Sequence, residues 1–96
     1  MDIVVTVKEI RGKCPTYKVG DSFTLKAGYQ LVSDSPVCMH GLAALMPYYN
    51  ALRVSEPAQW GLEGKEDSSK AYIQCPDPFD CTNGGTVIFE ISKQQS

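Results

Sequence analysis

The stretch Ala71-Tyr72-Ile73-Gln74-Cys75, then Pro76-Asp77-Pro78-Phe79-Asp80-Cys81-Thr82-Asn83-Gly84-Gly85, then Thr86-Val87-Ile88-Phe89-Glu90-Ile91 decides the fold. Ala71, Ile73 and Cys75 alternate with Tyr72 and Gln74, and Val87, Phe89 and Ile91 alternate with Ile88 and Glu90. A period of two puts each apolar set on one face of a strand. The residues between are dense in turn formers, so the two runs form a hairpin closed by a long loop. Gly84-Gly85 precedes a strand, not a helix, and reads as a turn instead of a phosphate-binding loop.

Working back toward the N-terminus, Ile3, Val5 and Val7 alternate with Val4, Thr6 and Lys8, which predicts a first strand ended by Arg11-Gly12-Lys13-Cys14-Pro15. Lys18-Val19-Gly20-Asp21 predicts a turn. Phe23 and Leu25 share a face of a short second strand, interrupted by Ala27-Gly28, with Tyr29 to Val32 continuing as irregular extended chain.

Ser35-Pro36 reads as an N-cap and first helical residue. Leu42, Leu45, Met46 and Tyr49 then follow at helical spacing. Pro47 removes a backbone donor and clashes with the carbonyl of Ala43, so a kink or break is expected there. Ser55-Glu56-Pro57 opens a second, short helix carrying Trp60 and Leu62, with Gly61 or Gly64 as its stop. Glu63 to Lys70 is a solvated loop, and Lys93 to Ser96 frays. The order ββααββ predicts one α+β domain over residues 1–96: a small, mostly antiparallel sheet packed on one kinked helix plus a short helix.

Composition narrows the function. The net charge of −2, with acids and bases interspersed, gives no basic stripe for nucleic acid. No apolar run approaches the roughly 20 residues of a membrane span. Met1 to Lys8 reads as a strand and not a secretory leader, so the expectation is a cytoplasmic protein whose cysteines stay reduced. The even cysteine count admits a disulfide framework, which would need an oxidising compartment.

The four cysteines, Cys14, Cys38, Cys75 and Cys81, carry what chemistry the sequence offers. Cys14 follows the first strand. Cys75 closes the third, on the face of Ile73. Cys38 opens the helix one turn before Leu42, where unpaired N–H groups and the helix dipole favour a thiolate. Three thiols thus sit at the ends of three elements. Cys14-Pro15 and Cys75-Pro76 add a proline that turns the chain away from the sulfur, as at one ligand of bacterial ferredoxins. No Cys-x-x-Cys pair is present, so a zinc ribbon is not expected. The predicted site holds Cys14, Cys38 and Cys75 as ligands to a soft metal. Cys81 is the candidate for a fourth position that substrate or water could also take, and Asp77 and Asp80 are weaker options. His40 lies about 200° around the helix from Leu42, so it is expected to face away from the site. The bland alternative is that Cys38 and Cys75 are small buried hydrophobes.

The motifs also resemble a known family. They are Val7-Lys8-Glu9-Ile10-Arg11-Gly12-Lys13-Cys14-Pro15, Tyr17-Lys18-Val19-Gly20-Asp21, Cys38-Met39-His40 leading into Leu45-Met46-Pro47-Tyr48, Tyr72-Ile73-Gln74-Cys75-Pro76-Asp77-Pro78 and Gly84-Gly85-Thr86-Val87-Ile88-Phe89-Glu90-Ile91. Over nearly its whole length the chain resembles a family of uncharacterised proteins of this size, mostly from anaerobic bacteria and archaea. The resemblance implies that Cys14, Cys38 and Cys75 belong to a shared pattern. It implies an anaerobic setting, which favours an iron–sulfur cluster, and no particular activity.

Three functions compete at this stage. The first is an iron–sulfur module, with zinc as the alternative metal, serving electron transfer or a larger redox enzyme, or pairing with itself. The second is a thiol redox or sensor protein using Cys38, with Cys14 or Cys75 resolving. The third is a non-catalytic binding or scaffold domain using Tyr48, Tyr49 and Trp60, its cysteines merely structural.

Overall fold

The computed structural model describes residues 1–95. Five strands form one antiparallel sheet: β1 (Asp2–Gly12), β2 (Ser22–Lys26), β3 (Gln30–Val32), β4 (Ala71–Gln74) and β5 (Gly85–Gln94), in the order β3-β2-β1-β5-β4. Helix α1 (Met39–Leu52) packs on one face, a 3₁₀ turn (Pro57–Trp60) follows it, and a single helical turn α2 (Phe79–Thr82) interrupts the β4–β5 loop. The α+β class and the β4–β5 hairpin are as the sequence predicts, with Ile73 opposite Phe89 and Ala71 opposite Ile91.

Register builds the core. On the inner face, Phe23, Val5, Ile91 and Ala71 lie in one row across four strands, and Val7, Phe89 and Ile73 lie in the next. Phe89, Ile3, Val5 and Val7 are almost wholly buried there. The pairing of β1 with β5 shifts between Val7 and Glu9. The extra residue, Lys8, reverses the in–out parity of everything beyond it. Ile10, not Glu9, therefore stands opposite Val87 and packs against the core. The same bulge sets the level at which the chain leaves β1 toward Cys14.

α1 differs from expectation in two ways. Its N-cap is Cys38, not Ser35. The Ser33 hydroxyl donates to the Ser35 carbonyl (2.6 Å) and accepts its amide (3.3 Å), so Ser35 belongs to a local turn that competes with capping. Nor does Pro47 break the helix, which runs on through it to Leu52. Pro47 and Ala43 both lie on the exposed side. Water can therefore satisfy the Ala43 carbonyl that the proline leaves unpaired. Beyond α1, the 3₁₀ turn carries a reciprocal Glu56–Gln59 capping box and stops at Gly61 in the left-handed region (φ 69°).

The buried stripe of α1 is also rotated. Gly41, Leu45 and Leu52 are buried, whereas Met46 is exposed. Gly41 lets the helix approach the sheet closely, since a methyl group there would stand 2.8 Å from Cζ of Phe89. The segment 62–64 covers the outer edge of β4 through the Tyr72 amide to the Leu62 carbonyl (3.0 Å) and the Gly64 amide to the Lys70 carbonyl (2.9 Å). On the outer face, Glu90 accepts from the Tyr72 hydroxyl (2.8 Å) and pairs with Lys70 (3.0 Å).

Candidate functional site

β1 and β4 both run antiparallel to β5, which lies between them. They are therefore parallel to each other, and their C-terminal ends emerge at the same edge of the sheet. Cys14 follows one and Cys75 the other. The N-terminus of α1 reaches that same edge through Gly41, which packs on Phe89 and Tyr17. Three element ends thus meet around one cavity of about 440 Å³. Cys14, Cys38 and Cys75 all line it, together with Tyr17, His40 and Asp77.

Glycines allow the crossing. Gly12 stands opposite Gly85 with φ +86°, and a methyl group on it would collide with the Gly84 carbonyl and the Phe79 ring. A methyl group on Gly85 would lie 2.6 Å from the carbonyl carbon of Lys13 and 3.1 Å from the Cys14 amide nitrogen. The Lys13 amide donates to the Gly84 carbonyl (3.0 Å), fixing the chain just before Cys14.

Each thiol has a distinct setting. Cys14 is half-buried, and its sulfur accepts the Tyr17 amide (3.3 Å). Cys75 is buried. Its sulfur accepts the Val87 amide (3.4 Å), and its S–H donates to the Gly85 carbonyl (3.5 Å). Cys38 is half-buried at the N-cap of α1 and makes no side-chain capping bond. Among the described residues no disulfide is formed, and no three His, Cys, Asp or Glu side chains stand close enough together to hold a metal ion as they are.

Tyr17 is the residue that sequence reasoning missed. The turn Lys18–Asp21 folds back on β1, with the Gly20 amide on the Val7 carbonyl (2.9 Å) and the Val7 amide on the Asp21 carbonyl (2.8 Å). This carries the Tyr17 ring into the core, stacked on Phe23 (6.4 Å between centroids) and edge-on to Phe89 (5.8 Å). Its hydroxyl accepts the Cys38 amide (2.9 Å). Burial, above all, pushes this phenol above the ordinary tyrosine range. The Cys38 amide opposes the shift, and negative charge at Cys38 and Cys14 adds to it. The available signal was an aromatic three residues after Cys14, just before the Lys18–Asp21 turn.

His40 corrects another expectation. It is exposed, yet it lines the same cavity as the three thiols. A stripe of Leu42, Leu45, Met46 and Tyr49 would put His40 on the far side of the helix, but Met46 is exposed. The true stripe, centred on Gly41 and Leu45, turns His40 toward the cavity mouth. Asp77 serves its own loop: its carboxylate accepts the Thr82 hydroxyl and the Gly85 amide (3.1 Å). These bonds, with a smaller contribution from His40, hold its carboxyl below the usual range.

Cys81 is exposed on α2 and does not line the cavity. Asp80 faces Arg11 (3.4 Å) and is likewise outside it. Of the aromatics of the scaffold alternative, Tyr48 packs against the core and the other two have hydrogen-bond partners. The Tyr49 hydroxyl donates to the Gly28 carbonyl (2.9 Å), and the Trp60 indole donates to the Ser55 hydroxyl (2.8 Å). No protein-family model, curated protein or solved structure matches the chain.

Proposed function

We propose that the chain is a small soft-metal-binding module in which Cys14, Cys38 and Cys75 are the ligands. The observation that carries this reading is that three thiols from segments far apart in sequence line one cavity. Soft thiolates select iron–sulfur clusters and zinc. Two of the sulfurs already accept backbone amides, bonds that stabilise thiolate charge and tune a cluster's potential. The third lies at a helix N-terminus, which favours negative charge.

An iron–sulfur cluster is the first candidate and zinc the second. The thiols line the cavity without standing at ligand spacing, so uptake draws them together. At Cys75 it also replaces the thiol proton now given to the Gly85 carbonyl. The role that follows is electron transfer or service to a larger redox enzyme, or to a second copy of the chain, in the cytoplasm, where thiols stay reduced.

Strictly anaerobic purification followed by iron, sulfide and zinc analysis tests the reading. Near-stoichiometric metal is expected. It should fall at least tenfold in Cys14→Ala, Cys38→Ala and Cys75→Ala and stay unchanged in Cys81→Ala. Metal-free protein that takes up neither iron with sulfide nor zinc refutes it.

A second reading, a thiol sensor, is favoured by one observation. Cys38 makes no capping bond with its side chain and shares the cavity with His40. Alkylation of Cys38 faster than a model thiol, in protein proven free of metal, would select this reading over the first.

A further inference from the structure

We propose that β3 is a dimerisation edge, at which two copies of the chain pair β3 with β3, antiparallel, about a two-fold axis at Leu31. The inference goes beyond the metal-binding reading and stands independently of it.

The two edges of the sheet are treated differently. β4 is covered by the segment 62–64, which takes the Tyr72 amide and bridges Glu63 to Ala71. β3 pairs with β2, and among the described residues no strand lies on its other side. An open edge presents unpaired amides and carbonyls to a further strand, and proteins commonly blunt it with charge, proline or a bulge. Gln30-Leu31-Val32 carries no charge and no proline, and its pairing with β2 runs without a register shift. Only its length, three residues, limits it.

The side chains at this edge are apolar and uncovered. Leu31 stands opposite the core residue Leu25 and so lies on the helix side of the sheet, yet it is 45% exposed. Tyr29 and Met46 are exposed beside it, along a shallow groove between the β2–β3 hairpin and α1. Val32, on the opposite face, is 51% exposed. A two-fold axis at Leu31 sets the two Leu31 side chains against each other and Gln30 opposite Val32 of the partner subunit. Apolar groups of both copies then cover one another.

Charge complementarity selects a second copy as the occupant. The hairpin end of β3 is basic. Lys26 is exposed there, and the Arg53 guanidinium lies over Gly28, where a methyl group would stand 2.5 Å from Nη1. Arg53 gives Nε to the Met1 carbonyl (3.1 Å) and Nη1 to Asn50 (2.8 Å). Asp2, the acid at this end, is buried and accepts the Ala27 amide (3.0 Å). The other end is acidic, with exposed Asp34 two residues past Val32. Among the described residues neither Arg53 nor Asp34 belongs to an ion pair. Within one chain they sit at opposite ends of β3. Antiparallel pairing centred on Leu31 brings Asp34 opposite Gly28 of the partner subunit, and so onto that subunit's guanidinium, twice per dimer. Because β4 is covered, joining the β3 edges uses up the open one, and assembly stops at two.

Sedimentation of the full chain under reducing conditions, from about 1 to about 500 µM, tests this, since a short strand and a small apolar patch imply a weak interface. The mass should rise toward twofold with concentration, and amide exchange at Gln30–Val32 should slow as it does. Leu31→Lys sets two charges on the axis and should weaken association at least tenfold while thermal unfolding of the monomer is unchanged. Asp34→Lys should weaken it about tenfold, and Asp34→Lys with Arg53→Glu should restore it. Should Arg53→Glu fail to fold, salt decides: raising it from about 0.05 to about 0.5 M must weaken the wild-type dimer severalfold and must affect Asp34→Asn less. A monomer throughout this range would leave the edge to a strand of a different protein and overturns the inference. So does a dimer that persists in Leu31→Lys, a charge swap that restores nothing in folded protein, or a dimer whose protection falls away from Gln30–Val32.

Discussion

Gly41→Ala tests the packing on which the site depends. In a helix the substitution ordinarily stabilises, by about 0.5–1 kcal/mol, because alanine loses less backbone freedom than glycine. Here the new methyl would lie 2.8 Å from Cζ and 3.3 Å from Cε2 of Phe89, a side chain with no exposed surface. Phe89 cannot swing aside, since it packs edge-on to Tyr17 and is paired across the sheet with Val7 and Ile73. Overpacking a filled core costs about 1–3 kcal/mol. The clash outweighs the propensity gain, and the net loss is about 1–2 kcal/mol. In a domain of this size that lowers Tm by roughly 5–15 °C. Thermal and urea unfolding followed by circular dichroism measures it. A Phe89→Leu background removes the atoms that clash, so a double-mutant cycle should return a favourable coupling of about 0.5 kcal/mol or more between the two changes. A Gly41→Ala protein as stable as wild type, or more so, would show that α1 does not seat on Phe89 as described, and the convergence of Cys38 with the strand ends would lose its support.

Three further outcomes follow from the same geometry. Gly85→Ala forces its methyl onto the Lys13 carbonyl and should destabilise the fold by about 2 kcal/mol or more, displacing Cys14, with near-wild-type urea unfolding as the contrary result. Asp77→Ala leaves the Gly85 amide and Thr82 hydroxyl without their acceptor; amide hydrogen exchange across residues 76–86 should rise about tenfold while the β1–β2 pairing stays protected, and uniform protection would count against it. The Tyr72 hydroxyl and Lys70 hold the Glu90 carboxyl below its usual range. Its contribution is therefore present above the ordinary carboxylate value and lost as pH falls through the lowered one. The Glu90 hydrogen bond pushes the Tyr72 phenol up to about 12, so that group's contribution is complete below the ordinary tyrosine value and lost as pH rises through about 12. Glu90→Gln should cost about 1 kcal/mol at neutral pH and progressively less in acid, and a pH-independent difference in Tm would contradict the pairing.

Much of this was legible in the sequence because the inner faces of β4, β5 and the first half of β1 alternate strictly, Gly20 marks the turn after β1, and Gly61 ends the 3₁₀ turn. What failed did so for local reasons. Ser35 and Pro36 look like a helix start, but a neighbouring serine captured the Ser35 backbone first. Pro47 looks like a break, but it falls on the wet side of α1, where a lost hydrogen bond costs little. The direction of His40 was misjudged because Met46 was counted as buried, and an exposed methionine rotates the inferred stripe. In the β4–β5 loop, Phe79–Thr82 forms a helical turn that a run of turn formers does not announce. That Cys14, Cys38 and Cys75 line one cavity follows from their placement at element ends, but among the described residues they do not stand at the spacing of ligands to one metal. Tyr17 was not legible, because its importance arises from long-range packing against Phe23 and Phe89, which no local pattern records.

Why the two Cys-Pro pairs fall where they do can be argued from the ladder itself. A strand continues only while its amides find acceptors, and proline has none to offer. The Cys75 amide still bonds the Val87 carbonyl (2.9 Å), so Pro76 is the first residue past β4 that cannot pair. Cys14 likewise follows the last β1 pair, Gly12 with Gly85, and Pro15 comes next. Each cysteine is thus carried on rigid strand geometry up to its own position, and the chain is turned away immediately after it. Because β1 and β4 are parallel neighbours of β5, this delivers two sulfurs to one edge with no dedicated loop to hold them. The Lys8 bulge then has a purpose beyond the core: without the extra residue, Ile10 and the chain beyond it would face the opposite side of the sheet, and Cys14 would leave β1 away from Tyr17 and the start of α1. The position of one sulfur therefore depends on a register shift about six residues upstream.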